Sequence, residues 1–145
     1  MKRTASLSLV DSCGWLEYVA GGANASFFEA PLLDTQNLIV PALSLYEVGK
    51  RMLVTHGEVA ALEVLEMMQK GRVVQLDAKG LFAAAKTSAS HSLAMADAII
   101  WQTAQLQGAQ LYTQDAGLAN MAGVAYLPTV SAKHKTLKPR TPLTS

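Results

Sequence analysis

The stretch "LAMADAIIWQTAQLQGAQLYTQD", residues 93–115, decides the fold because it contains a helix followed directly by a strand. Its apolar residues recur at helical spacing, which predicts a helix over 92–107 with Ser92 as the N-cap. The apolar run "QLY" (110–112) then predicts a buried strand. Asp97 lies on the apolar stripe of the helix, where a lone carboxylate is costly to bury. An acid at this position therefore needs a partner.

The same alternation of strands and helices runs through the rest of the chain. Most strand-like runs are continuously apolar, as strands buried on both faces of a parallel sheet are. The predicted strands are residues 7–10, 37–40, 72–76, 110–112 and 124–127. The predicted helices are residues 12–19, 25–33, 43–56, 58–70, 78–89 and 92–107, and the pair around Gly57 could also form one kinked helix. This order predicts an α/β fold, a three-layer α/β/α sandwich around a mainly parallel five-stranded sheet, formed by residues 1–130.

Composition favours a compact globular domain over a disordered chain. Half of the 145 residues are hydrophobic and only 16% are charged. The chain has 12 basic and 11 acidic residues, but residues 131–145 hold four bases and no acid, so the remainder carries about −3. We predict that 131–145 is a flexible basic C-terminal extension, either a solvated terminus or an arm for nucleic-acid phosphates. Its basic residues are Lys133, Lys135, Lys138 and Arg140.

Cysteine content and hydropathy restrict the class of protein further. Cys13 is the only cysteine, which excludes an internal disulfide and a thiolate metal cluster. No stretch reaches the ~18 apolar residues of a membrane span. The apolar run near the N-terminus meets Asp11 too soon to be a signal-peptide core. We therefore expect a cytoplasmic protein without a membrane partner.

Four acidic residues from four separate segments are expected at one edge of the sheet. Asp11 directly follows the first strand, and Asp115 follows the fourth strand within a short loop. Asp97 lies in the first part of the helix that leads into the fourth strand. Glu47 lies in the helix after the second strand, near its apolar side. Because sites in open parallel sheets form at the carboxyl ends of the strands, these side chains are predicted to converge.

Converging carboxylates repel one another, so this prediction requires something that neutralises them. No cysteine or histidine lies at ligand spacing, and hard oxygen ligands favour Mg²⁺ or Mn²⁺. Each acid also has an ordinary interpretation: Asp11 as a helix cap, Glu47 as a partly exposed helix residue, Asp97 as the partner of a buried base, and Asp115 as a turn residue. Their shared location favours the metal site.

Three segments of the chain, taken in order, resemble the PIN domain, and in particular the VapC toxins of bacterial toxin–antitoxin pairs. They are "LVDSCGWLEY" (9–18), "IVPALSLYEVGKR" (39–51) and "MADAIIWQTAQLQGAQLYTQDAGLANMAGV" (95–124). The family pattern has an Asp after the first strand, a Glu in the helix after the second, a "DA" in a late helix and a "T-x-D" after the fourth strand. Asp11, Glu47, Asp97–Ala98 and Thr113-x-Asp115 supply this pattern.

The resemblance implies a metal-dependent ribonuclease, which is a hydrolase. Acidic residues would bind one or two Mg²⁺ or Mn²⁺ ions, and a metal-activated water would attack the scissile phosphate in line. The resemblance assigns Asp11, Glu47, Asp97 and Asp115 to the metal site, with Thr113 as a candidate for orienting a ligand or a substrate phosphate. Ser12 could serve similarly, although as an N-cap it is better explained as structural.

Members of this family commonly dimerise and are restrained by an antitoxin, so both partners are expected here. The apolar residues of the helix "EVAALEVLEMM" (58–68) exceed one narrow stripe. This helix could present a docking surface, or it could contact two parts of one large core. The alternative function is a PIN-like module that binds RNA or protein without cutting. Loss of an acid would favour that alternative, and all four acids are present.

Overall fold

The computed structural model describes residues 6–130, and within them strands and helices alternate as predicted. The strands are β1 (Leu7–Val10), β2 (Leu38–Pro41), β3 (Arg72–Val74), β4 (Ala109–Thr113) and β5 (Val124–Tyr126). The helices are α1 (Ser12–Ala20), α2 (Ala25–Leu33), α3 (Ala42–His56), α4 (Glu58–Met68), α5 (Ala78–His91) and α6 (Met95–Gln107). Short 3₁₀ helices cover Thr35–Asn37 and Ala116–Leu118. The predicted basic extension, 131–145, lies outside the described residues.

The five strands form one sheet in the order β3-β2-β1-β4-β5, and every neighbouring pair is parallel. The chain builds outward from β1 in one direction through β2 and β3, and in the other direction through β4 and β5. The strand order therefore reverses between β1 and β4. A crevice for ligands is expected outside the carboxyl ends of the strands at such a switch point.

Helices cover both faces of the sheet, which confirms the predicted three layers. Successive strand residues point to opposite faces, so Leu9 and Val10 belong to different cores. The core on one side joins β1 and β2 to helices α1–α4, and includes Val10, Trp15, Phe28, Leu38, Val40, Val48 and Met68. The core on the other side joins the sheet to α6 and includes Leu9, Ile39, Ile100, Ala104, Leu111 and Leu118.

The predicted start of the last helix is wrong. Ser92 is not its N-cap: it has a left-handed backbone (φ 56) and ends α5, while α6 begins at Met95 after Ala94. The apolar periodicity does not reveal this break. The helix α5 runs on to His91, and residues 92–94 between the two helices are compatible with the pattern of either one. As a consequence, Asp97 lies in the first turn of α6.

The two helices around Gly57 are separate, because Gly57 adopts φ 90 between α3 and α4. After α4, Gly71 passes so close to β2 that a Cβ atom on it would lie 3.0 Å from the Leu38 carbonyl oxygen. A side chain at this position would therefore force β2 and its side chains to shift. Within residues 6–130, no helix is long and apolar enough to span a membrane.

Candidate metal centre

Three of the four predicted acids lie together at the carboxyl edge of the sheet. Asp11 follows β1, Asp115 lies two residues after β4, and Asp97 lies in the first turn of α6. One carboxylate oxygen from each lies within 4.8 Å of the other two. These residues meet at the β1–β4 switch point, and we call them the acidic trio.

Hydrogen bonds hold Asp11 in one orientation. Its Oδ1 accepts from the Ser12 backbone N–H at 2.7 Å, and its Oδ2 accepts from the Thr113 hydroxyl at 2.8 Å. The Cys13 thiol lies 3.4 Å from the same Oδ2. Asp11 is also the N-cap of α1. Its capping role is therefore compatible with a place in the site, because the cap fixes where the carboxylate lies.

Thr113 connects two members of the acidic trio. Its hydroxyl donates to Asp11 and accepts from the Asp115 backbone N–H at 2.9 Å. Thr113 is fully buried (0% exposed). This geometry allows Thr113 to orient both the Asp11 carboxylate and the Asp115 backbone.

Asp115 also has the turn role that its sequence context suggested. Its Oδ1 accepts from the Gly117 N–H at 2.9 Å and so caps the 3₁₀ helix Ala116–Leu118. A Cβ atom on Gly117 would lie 3.3 Å from Asp115 Oδ1 and 3.6 Å from Asp97 Oδ2. Gly117 therefore leaves space directly beside two of the carboxylates.

Glu47 lies near the acidic trio but is not part of it. It is on α3, half-buried, and its Oε1 accepts from the Ser12 hydroxyl at 2.6 Å. Its negative charge contributes to raising the pKa of Asp97. The structure thus brings three acids to one point and places Glu47 beside them. Ser12 does not cap α1; its side chain connects α1 to Glu47.

Burial and neighbouring acids dominate the electrostatics of the acidic trio. Burial, and then the Asp115 carboxylate, raise the pKa of Asp97 to about 7, with smaller contributions from Asp11 and Glu47. Burial also raises the pKa of Asp11, although its bonds from Thr113, Ser12 and Cys13 oppose this. Every charged neighbour that shifts Asp97 is another acid. Carboxylate oxygens this close together, whose negative charges oppose one another's ionisation, fit a hard divalent cation such as Mg²⁺ or Mn²⁺.

Two neighbours of Asp11 have roles that the sequence did not reveal. The Sγ of Cys13 lies 3.4 Å from Asp11 Oδ2 and 3.6 Å from the Thr113 hydroxyl. Burial and then the charge of Asp11 raise the pKa of the thiol to about 12, so Cys13 is a neutral thiol here. The only signal for Ser12 and Cys13 was their position directly after Asp11, at the start of a helix.

Comparison with known proteins identifies a family and several similar folds. A sequence model of the PIN domain matches residues 8–124. No curated protein matches the chain. The fold is similar to a toxin–antitoxin complex from Klebsiella pneumoniae, with 18% identity, a TM-score of 0.72, and coverage of 85% of this chain and 99% of the other.

Two further solved structures are similar at low identity. VapC20 of Mycobacterium tuberculosis, described as a sarcin-ricin loop cleaving toxin, has 17% identity, a TM-score of 0.66, and coverage of 80% of this chain and 95% of its own. The DNA-bound VapBC complex of Salmonella typhimurium has 14% identity, a TM-score of 0.66, and coverage of 86% and 98%. At such identities these likenesses establish the fold alone.

Proposed function

The chain belongs to the PIN domain family, and from that premise we propose that it is a metal-dependent endoribonuclease, the toxin of a type II toxin–antitoxin pair. The observation that carries this proposal is the acidic trio: one carboxylate oxygen from each residue lies within 4.8 Å of the other two, and every charged side chain that shifts the pKa of Asp97 is another acid. A ribonuclease of this kind would act on cellular RNA, so a cytoplasmic location belongs to the proposal.

The proposed roles follow from the hydrogen bonds around each side chain. Asp11, Asp97 and Asp115 would hold Mg²⁺ or Mn²⁺, and Glu47, fixed by the Ser12 hydroxyl, would lie beside them as a further acid. Thr113 would be a positioning residue that aligns Asp11 with Asp115. When bound, the cation would supply the positive charge that activates a water for attack on phosphorus and stabilises the leaving oxygen.

We also propose two protein partners, a cognate antitoxin and a second copy of the chain. Exposed apolar side chains on two pairs of helices could accept them. The pair α3 and α4 exposes Leu53, Val54, Val59 and Leu62, and the pair α5 and α6 exposes Leu81, Phe82 and Met95. In α4, Val64 and Met68 are buried while Val59 and Leu62 are exposed, so this helix serves the core and also leaves an apolar face uncovered.

The test of the proposed function is cleavage of a mixed cellular RNA pool by purified, antitoxin-free protein. We expect cutting with Mg²⁺ or Mn²⁺, none with EDTA, and none with Asp97→Asn. Glu66→Gln removes one exposed carboxylate from α4 and should cut like the wild type. Folding of each variant is checked by circular dichroism.

Three other results would contradict the proposal in different ways. Cutting that survives Asp97→Asn would show that the trio is not the site. Cutting in EDTA would show that the reaction needs no divalent cation. RNA binding without cutting, by folded protein with either metal, would favour the alternative of a silent binding module.

A further inference from the structure

The loop after β4 carries one carboxylate of the acidic trio on a short stretch of backbone. The backbone N–H of Asp115 donates to the Thr113 hydroxyl, and its Oδ1 accepts from the Gly117 N–H, so both bonds are local to the loop. The charges of Asp115 and Asp97 oppose one another, which acts against their approach. Gln114 lies between Thr113 and Asp115. A contact from outside the loop that fixes Gln114 therefore also helps to fix Asp115.

A buried asparagine from the turn between α1 and α2 makes this contact. Asn24, only 4% exposed, donates from Nδ2 to Gln114 Oε1 at 3.0 Å and to the Pro128 carbonyl oxygen at 2.9 Å. Pro128 follows β5, and its neighbour Leu127 donates its N–H to the Thr113 carbonyl oxygen at 3.1 Å. One amide group thus connects the loop to the turn before α2 and to the segment after β5. Buried donors of this kind are costly to leave without partners.

The position of Asn24 in the chain does not explain where its side chain lies. Asn24 is the N-cap residue of α2, where an asparagine side chain ordinarily accepts from an N–H of the first helical turn. The Asn24 side chain makes no such bond. Its amide nitrogen instead contacts residues 90 and 104 positions further along the sequence. The side chain therefore serves a long-range contact and not the helix that it begins.

A glutamate of α1 supports both ends of this contact. Glu17 Oε2 accepts from the Asn24 backbone N–H at 2.8 Å, and Glu17 Oε1 lies 3.5 Å from Gln114 Nε2. A Cβ atom on Gly22 would overlap the Glu17 carboxylate, so the turn passes tightly over it. The Gln114 amide consequently has a partner on each side, with its oxygen toward Asn24 and its nitrogen toward Glu17.

We propose that Asn24 is a positioning residue of the candidate metal centre, which acts through Gln114 to hold Asp115 at the distance from Asp11 and Asp97 that a divalent cation requires. The proposal rests on the proposed metal-dependent function, which supplies the cation. Metal–ligand distances are restricted to within about 0.2 Å, so a support adjacent to a ligand residue affects affinity. Partners behind metal ligands contribute roughly 10- to 100-fold to metal affinity.

The test is the affinity of the full chain for Mn²⁺, measured by isothermal titration calorimetry. The variants are Asn24→Ala, Gln114→Ala and the double variant. The control is Val64→Ala, which truncates a buried side chain of α4 in the core and leaves the loop untouched. Urea unfolding in EDTA records the stability of each variant, so that only folded protein is titrated.

We expect Asn24→Ala and Gln114→Ala each to weaken Mn²⁺ binding about 10-fold, the lower end for such partners because Asn24 acts through a second residue. The double variant should bind no more weakly than the weaker single variant, since both substitutions remove the same support. Val64→Ala should lower the urea midpoint and keep the wild-type affinity. In EDTA, the Asp115 N–H should exchange with solvent faster in Asn24→Ala than in Val64→Ala, relative to the core amides.

Three results would overturn the proposal. Wild-type affinity in Asn24→Ala would show that the loop holds Asp115 without help. Losses that multiply in the double variant would show that Asn24 does not act through Gln114. An equal loss in Val64→Ala would show that affinity follows stability alone. If Asn24→Ala does not fold, Gln114→Ala decides, because its side chain is only half-buried and wild-type affinity there overturns the proposal.

Failure of the proposed function gives a different pattern. A wild-type chain that binds no Mn²⁺ contradicts the metal centre and the role of Asn24 together. A chain that binds Mn²⁺ with the expected losses but cuts no RNA supports the role of Asn24 and contradicts the nuclease. A chain that cuts RNA, and whose Asn24→Ala variant binds Mn²⁺ and cuts equally well, supports the nuclease and contradicts the role of Asn24.

Discussion

Replacement of Asp97 by Asn should stabilise the metal-free protein while it removes activity. Asp97 shares its surroundings with Asp115 and Asp11, and each of these charges opposes its ionisation. Asn has nearly the same shape as Asp and no charge, so the substitution relieves this repulsion without leaving a cavity. A residue that mainly served the fold would behave in the opposite way, because most substitutions destabilise.

The size and pH dependence of this effect follow from the pKa of Asp97, which is about 7 against an ordinary value of 3.8. The difference corresponds to roughly 4 kcal/mol. Because Asp97 is only half-buried, we take about 2 kcal/mol after solvent screening. The pKa is raised in the folded state, so the cost is absent below pH 3.8, grows between pH 3.8 and 7, and is complete above pH 7. The advantage of Asp97→Asn should follow the same course.

Urea unfolding in EDTA at pH 4 and pH 8 measures this directly. We expect the free energy of unfolding of Asp97→Asn to exceed the wild-type value by about 2 kcal/mol at pH 8 and to match it near pH 4. The control, Glu66→Gln, should stay within about 0.5 kcal/mol at both pH values. With saturating Mn²⁺ the order should reverse, because the wild type gains binding free energy in the folded state. A variant less stable than the wild type at pH 8 in EDTA would refute the reasoning.

Three further predictions concern residues around the site. Thr113→Val removes the hydroxyl that donates to Asp11 and should lower Mn²⁺ affinity roughly 10- to 100-fold, whereas Thr113→Ser should keep most of the affinity. Equal affinities of the two variants in a Mn²⁺ titration would contradict the positioning role. The Cys13 thiol, whose pKa is raised to about 12, should react with iodoacetamide at pH 8 far more slowly in the native protein than in urea. Rapid labelling of the native protein would contradict this protection. Gly14→Ala would place a Cβ atom 2.6 Å from the Phe28 ring and should cost about 1–3 kcal/mol in urea unfolding, so an unchanged midpoint would show that α1 and α2 can separate.

The fold could be predicted from the sequence because hydrophobic pattern alone distinguishes buried strands from amphipathic helices. Each of the five strand-like runs became a strand of the sheet, within one or two residues at either end. The boundary between α5 and α6 could not be predicted. Serine fits both an N-cap and an exposed turn, and only the packing of α5 against α6 decides that Ser92 ends one helix and that Ala94 precedes the other.

The positions of two acids could be predicted because each side chain lies next to a strand end. Asp11 and Asp115 follow β1 and β4 so closely that the parallel sheet alone brings them together. Glu47 lies further along a helix, so its position depends on how α3 packs, which the sequence does not specify. Its contact is the Ser12 hydroxyl, and the acidic trio forms without it.

Two of the acids have the ordinary roles that the sequence suggested, Asp11 as a helix cap and Asp115 as a turn residue. Asp11 caps α1, Asp97 lies in the first turn of α6, and Asp115 caps the short 3₁₀ helix Ala116–Leu118, so each acid of the trio lies at a helix N-terminus. The free N–H groups and the positive dipole end of a helix stabilise a carboxylate there, by about 0.3–1 kcal/mol each at an exposed site. This stabilisation partly offsets the repulsion within the trio. Every charged side chain that shifts the pKa of Asp97 is another acid. Helix placement therefore helps to hold the acids together in the metal-free chain, and under the proposed function EDTA should abolish cutting while leaving the domain folded.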